Sequence, residues 1–239
     1  MNKDLTVGEP QSVLWKFSIP MFVSVIFQQL YNMADSVIAG KFAGEDALAA
    51  VGASYPITMI FMAIAVGSNI GCSVIISQYF GAKWYEKMKT AVYTTLIAST
   101  ALSVLLTAGG LLGSRAMVTA INTPENIFAD GDLDLRIYIG GFVFLFLYNV
   151  ATGIFNSMGD SRTPLYFLIG SSLGNIVLDL IFVAVFHWDV AGVAWATFIA
   201  QGIACVLALN ALRKRLASIE TEGKVELFSW NMLGRISRI

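Results

Sequence analysis

The sequence predicts an all-α polytopic membrane protein, a bundle of six transmembrane helices, and three observations predict it. The 239 residues are 56% apolar and 13% charged, with a mean hydropathy of +0.71; ordinary soluble domains are about 45–50% apolar and about 25% charged. Charges this sparse do not cover a water-soluble surface. Six stretches reach the roughly 20 apolar residues that a helix needs to cross a hydrocarbon core about 30 Å thick. Runs such as VFLFLY and LIASTALSVLLTAGG are continuously apolar or small, whereas strands of a membrane barrel alternate apolar and polar side chains.

The six spans run approximately Val13 to Ala39, Leu48 to Tyr79, Thr90 to Leu112, Ile137 to Ser157, Pro164 to Phe186, and Val190 to Leu212. The first opens after a polar segment with Lys3, Asp4 and Glu9. It is too long for a cleaved signal peptide and contains Pro20 and Asp35. The second exceeds what a bilayer requires and contains Pro56, which removes a backbone donor and kinks or tilts a helix. Its small residues, Ala47 to Gly52 and Gly67 to Gly71, let neighbouring helices approach closely. Before the fifth span, Gly159-Asp160-Ser161 reads as a turn, Thr163 as an N-cap and Pro164 as the first helical residue. The six-helix lobe is assigned to residues 1–212, and 213–239 to a basic segment beginning with Arg213, Lys214 and Arg215.

Lysine and arginine set the orientation. Twelve of the fifteen fall on one side of the spans, with only Lys41, Arg115 and Arg136 opposite. The positive-inside rule then puts both termini in the cytoplasm of a multi-pass cell (plasma) membrane protein.

Other chemistries find little support. Fifteen basic against sixteen acidic residues leave a formal charge of −1, no basic excess for nucleic acid. Cys72 and Cys205 lie in apolar runs, where free cysteine packs as a small hydrophobe, and no zinc or redox spacing exists. The one histidine, His187, stands beside Trp188 and Asp189 at a helix end and reads as interfacial. No nucleophile, base and electrophile combine, so neither an enzyme nor a bound cofactor is expected.

Fourteen of the sixteen acidic residues fall in expected loops, tails or helix ends; the exceptions are Asp35 in the first span and Asp179 in the fifth. An aspartate at a helix centre costs about 2.5–3.5 kcal/mol on insertion scales, so it usually faces a partner or a cavity. At 1.5 Å per residue, Asp35 lies roughly 6–8 Å and Asp179 roughly 10 Å below the outer end. Asn175 precedes Asp179 by four residues on the same face, and Thr197 in the sixth span reaches roughly the same depth. Asn149 lies deeper; Gln28 and Gln29 have a weaker claim. These hard oxygen donors suit Na⁺ or a shared proton, and two carboxylates in one apolar cavity favour protonation or cation capture. The alternative is that each acid reaches water at an interface, since spacing within separate helices does not establish that they meet.

The pattern resembles the amino-terminal half of a multidrug and toxic compound extrusion (MATE) transporter. Ile19-Pro20 with Gln28, Gln29, Tyr31, Asp35 and Gly40 is similar to that family's first helix, and Leu48 to Gly52 to the start of its second. The turn Gly159 to Pro164, the segment Asn175 to Phe182, and Ala196-Thr197 with Gln201 are similar to later family motifs. The resemblance implies export of organic, often cationic, compounds in exchange for Na⁺ or H⁺, with cation binding at Asp35, Asn149, Asn175, Asp179 and Thr197. Asp35, Asn175 and Asp179 would be the metal ligands if the ion is Na⁺, and Pro20 matches the position of a proposed first-helix hinge. A further polar position of the family's fourth helix has no clear counterpart, although Tyr138 is nearby.

The family has two six-helix lobes and one is expected here. Leu233 to Ser237 is similar to Leu14 to Ser18, as though a second repeat begins, so a truncated fragment is expected, working with a second lobe or as a homodimer. A lipid-linked saccharide flippase of related fold and a non-transporting membrane fragment are the alternatives.

Overall fold

The computed structural model describes residues 9–221 and 223–238; the segment carrying Lys3 and Asp4 lies outside them. Among the described residues the protein is helical throughout, without a strand. The helices are α1 (Pro10–Ile38), α2 (Glu45–Gly81), α3 (Tyr85–Ala120), α4 (Glu125–Ser157), α5 (Arg162–Asp179), α6 (Asp189–Ala217) and α7 (Trp230–Ile236). Single π-helical turns extend α1 over Ala39–Ala43 and α5 over Leu180–Val185.

Most helices outrun their apolar spans. The charged stretch before Ile137, expected to be a loop end, continues α4 back to Glu125 and brings Asp130, Asp132 and Asp134 into the helix. Helical spacing satisfies part of that charge, since Arg136 Nε donates to Asp132 Oδ2 one turn away at 3.0 Å. Among the described residues five helices are long and apolar enough to cross a membrane, covering 47–81, 85–120, 125–157, 162–185 and 189–217. The first of the six expected spans is not among them. At 29 residues α1 nonetheless has the length to cross a bilayer, and it carries Gln28, Gln29, Asn32 and Asp35 in its second half.

Helix α4 forms the centre, packed against α2, α3 and α6, while α5 lies between α6 and α1. Its Phe142, Phe146, Val150 and Ile154 are fully buried, and the Phe142 ring meets Phe61 edge-on at 5.0 Å and Phe146 at 5.6 Å. Gly153 makes the α2–α4 approach work: a Cβ there would collide with Asn69 Oδ1 and sit 2.9 Å from Ser73 Oγ. The small residue that permits this approach belongs to α4; Gly52 and Gly67 of α2 face open space, and Gly71 lies against Ile236 of α7.

Pro20 is buried within an unbroken α1. Ser24 Oγ donates to the Pro20 carbonyl at 2.8 Å, and Ser161 Oγ from the α4–α5 turn donates to the Phe17 carbonyl at 3.0 Å. Two hydroxyls thus supply donors around a residue that lacks its own N–H. In the same turn Asp160, not Thr163, caps α5. Its Oδ1 accepts from the backbone of Arg162 and Thr163, and its Oδ2 accepts from the Thr163 hydroxyl at 2.7 Å. A carboxylate reaches several orphan donors at a helix N-terminus where one hydroxyl reaches one.

The segment following α6 folds back along α3. Lys89 Nζ donates to the Ile219 carbonyl at 2.7 Å, while Thr90 and Thr94 Oγ1 accept from the backbone N–H of Glu226 and Ser229. Helix α7 buries Met232 and hydrogen-bonds α2 from Arg235 Nη1 to the Tyr79 hydroxyl at 3.1 Å. Cys72 and Cys205 are buried free thiols.

Overpacking the central seam should be costly. Gly153→Ala is expected to lower stability by about 1–3 kcal/mol, whereas Gly170→Ala, with open space at its Cβ, should leave it unchanged or slightly raised. Thermal unfolding of the detergent-purified variants measures the difference.

Candidate functional site

Two acidic side chains converge where α1 and α5 pack together. Asp35 lies in the last turn of α1 and Asp179 is the last residue of α5; each is followed by one of the π-helical turns. Such turns widen a helix and rotate the residues beyond them. Here they lie against one another, with Ala39 and Val183 buried beside Val193 of α6. This apolar plug separates the acids from the α5–α6 connection, where Phe182 and Trp188 stack at 5.0 Å.

The carboxyls of Asp35 and Asp179 lie within hydrogen-bonding reach of one another. Asp179 is 0% exposed and neither of its oxygens has a donor; Oδ1 of Asp35 also lacks one. Asn175, 1% exposed, donates from Nδ2 to Thr197 Oγ1 at 3.3 Å and leaves its own Oδ1 unpartnered. The tyrosine hydroxyl of Tyr31, four residues before Asp35, approaches Thr197. Three helices thus contribute to one knot of oxygen atoms that is short of protons. Two ionised carboxylates in contact repel, and without donors the charge can be balanced only by a shared proton or a captured cation.

The donor set fits either one. All its groups are hard oxygens, suited to H⁺ or Na⁺ and poorly suited to soft metals. Among the described residues no three His, Cys, Asp or Glu side chains gather into a metal-binding group. A Na⁺ ion here would therefore depend on the neutral oxygens of Asn175 and Thr197 besides the two carboxylates.

A cavity of about 90 Å³ borders the knot, lined among others by Gln28, Tyr31, Asn149, Asn175, Thr197 and Gln201. That volume holds about three waters and falls far below the roughly 300–1,000 Å³ of a drug-sized pocket. Its lining carries no charged residue. Asn149 lines this cavity together with Asn175 and Thr197, and its Nδ2 donates to the Leu145 carbonyl of its own helix at 2.9 Å. Gln28 also lines the cavity; Gln29 is exposed and accepts from Asn32. Pro20 lies fifteen positions before Asp35 on α1 and outside the knot.

Two groups are absent from the site residues expected from sequence. Tyr31 was recognisable by its spacing of four from Asp35, the same spacing that links Asn175 to Asp179. Asp134, assigned to a loop end, is instead buried in α4 at 7% exposure and bonded to Ser54 of α2. It was hidden by the charged stretch around it. Tyr138, one turn further along, places its hydroxyl 3.5 Å from the Thr58 carbonyl and stays apart from the acid pair.

Comparison with known proteins places these features in a family. The chain is 31% identical over 206 residues to the probable multidrug resistance protein YpnP of Bacillus subtilis (strain 168), covering 86% of this chain and 46% of that protein. It is 30% identical over 216 residues to the probable multidrug resistance protein YoeA of the same organism, covering 89% and 47%. The chain thus spans about half the length of these relatives. A solved structure described as the outward-facing conformation of a multidrug resistance MATE family transporter of the MOP superfamily superposes with a TM-score of 0.88 at 28% identity, over 97% of this chain and 51% of that one. Residues 20–181, from the buried proline of α1 to just past Asp179, match the MatE family model, and the chain belongs to the MatE family of multi-pass membrane transporters.

Proposed function

We propose that this chain is one lobe of a cation-coupled antiporter that exports organic, mainly cationic, compounds across the cell membrane. The observation that carries the reading is the contact between Asp35 and Asp179, with three of their four oxygens lacking a donor. Taking up H⁺ or Na⁺ there removes a repulsion between α1 and α5, so the ion binds one relative placement of those helices better than another. Differential affinity of this kind is what shifts a conformational equilibrium. Asp35 and Asp179 switch charge, Asn175 and Thr197 supply neutral oxygens, Asn149 orients water in the adjoining cavity, and Pro20 lets α1 bend.

The exported compound needs more room than the cavity offers, so its cleft lies between this lobe and a second one, supplied by another copy or by a longer chain. Transporters built from repeats bind substrate at such an interface. The basic end faces the cytoplasm, as do both termini. A flippase for phosphate-bearing lipid would call for basic groups in the interior, and the cavity lining is neutral.

In proteoliposomes containing the full chain, efflux of a fluorescent organic cation under an imposed H⁺ or Na⁺ gradient should fall by about 5–150-fold in Asp179→Asn, the usual span of a coupling free energy. Efflux unchanged by that substitution removes Asp179 from the mechanism. Thr197→Val should weaken Na⁺ binding, measured by calorimetry, if Na⁺ is the coupling ion; a wild type that shows no Na⁺ binding leaves the proton as the coupling ion. If the chain alone transports nothing and a version carrying a second lobe does, the two-lobe requirement stands.

A further inference from the structure

The pair Ser54 and Asp134 lies in the α2–α4 seam, on helices that contribute neither acid of the site above. Asp134 is buried and has no ion-pair partner among the described residues. The titratable groups that interact with it are Asp35 of α1 and Tyr138 of its own helix. Helix α2 presents Ser54 to it and carries no charge beyond Glu45 and Asp46 at its start. Arg136 is spent on Asp132, and Arg115 of α3 is exposed.

Counting protons shows what this arrangement can do. Ser54 Oγ lies 2.5 Å from Asp134 Oδ2 and 2.9 Å from the Val51 carbonyl, both at hydrogen-bonding geometry. A hydroxyl has one proton to give. If Ser54 donates it to Asp134, the acid is a carboxylate and the contact has the length of a charge-assisted bond. If Ser54 donates to Val51, the remaining contact needs a proton from Asp134, which is then the neutral acid donating to Ser54. Both states keep Ser54 Oγ and Asp134 Oδ2 hydrogen-bonded to each other, and they differ by one proton and one hydroxyl rotation. A buried carboxyl that is satisfied in either form can gain or lose a proton without leaving an orphaned group, whose desolvation would otherwise cost about 1–3 kcal/mol.

We infer that Ser54 and Asp134 form a second proton-holding station, separate from the Asp35–Asp179 pair. Its use in transport rests on the coupling proposed above; its existence does not. Like charges at Asp134 and Asp35 repel, so a cation held at one weakens the hold of the other, and linkage makes that effect reciprocal.

Infrared difference spectra of the purified full chain between alkaline and acidic pH test this directly. The wild type should show a protonated-carboxyl band that is absent in Asp134→Asn and retained in Asp179→Asn, and should take up one more proton per chain than Asp134→Asn. Ser54→Ala keeps the acid and removes only its partner. It should move that band to higher frequency, a readout that survives even if Asp134→Asn does not fold. A wild type without such a band, a band insensitive to both Asp134→Asn and Ser54→Ala, or one lost with Asp179→Asn overturns the inference. If the Asp134 band behaves as expected while Asp179→Asn transports normally, the station stands and the proposed role of the pair falls.

Discussion

A carboxylate buried without a hydrogen-bond donor is the constraint on which this molecule turns. Asp179 sits fully enclosed at the end of α5 with both oxygens unpartnered, and its nearest charged neighbour is another acid. In a low-dielectric interior such a group is tolerated only when something positive shares the space. The surroundings supply acceptors and neutral dipoles from Asn175 and Thr197, and no lysine or arginine lines the adjoining cavity. On the proposed reading the balancing charge comes from solution, as H⁺ or Na⁺.

Rigidity elsewhere keeps this imbalance in place. Helix α4 is clamped by aromatic contacts and by the close α2 approach that Gly153 permits. Helix α1, by contrast, packs mainly on α5 and carries its proline in the middle, with hydroxyls of Ser24 and Ser161 serving the neighbouring carbonyls. The acid pair therefore bridges a helix packed mainly on α5 and one that is itself anchored to α6. In the proposed coupling, a change in charge between them would act on the relative placement of these two helices.

Much of the fold was legible in one dimension because lipid enforces a simple rule. Backbone polar groups must be satisfied within each segment, so long apolar runs become helices and their number can be counted. Helix α1 carries polar residues that the site and cavity use, and it still has the length to cross a bilayer. Charged ends were misread, because a helix can continue through an interface once its charges pair along one face, as Asp132 and Arg136 do. Asp134 was lost to that error, whereas Asp35 and Asp179 stood out because nothing near them in sequence explained their cost.

Sequence by itself determined the solvent, the helical class, the approximate spans and the two acids that have to be compensated, since each follows from the price of polarity in hydrocarbon. Tertiary structure alone decided that those acids meet, that π-helical turns beside them press together, and that Asn149 lines the cavity next to Asn175 and Thr197. It also decided that a third acid finds a serine across the α2–α4 seam. Those outcomes depend on the rotation of one helix against another, which is set by the fit of side chains such as Gly153 against Asn69, and periodicity within a single helix carries no information about its neighbour's phase.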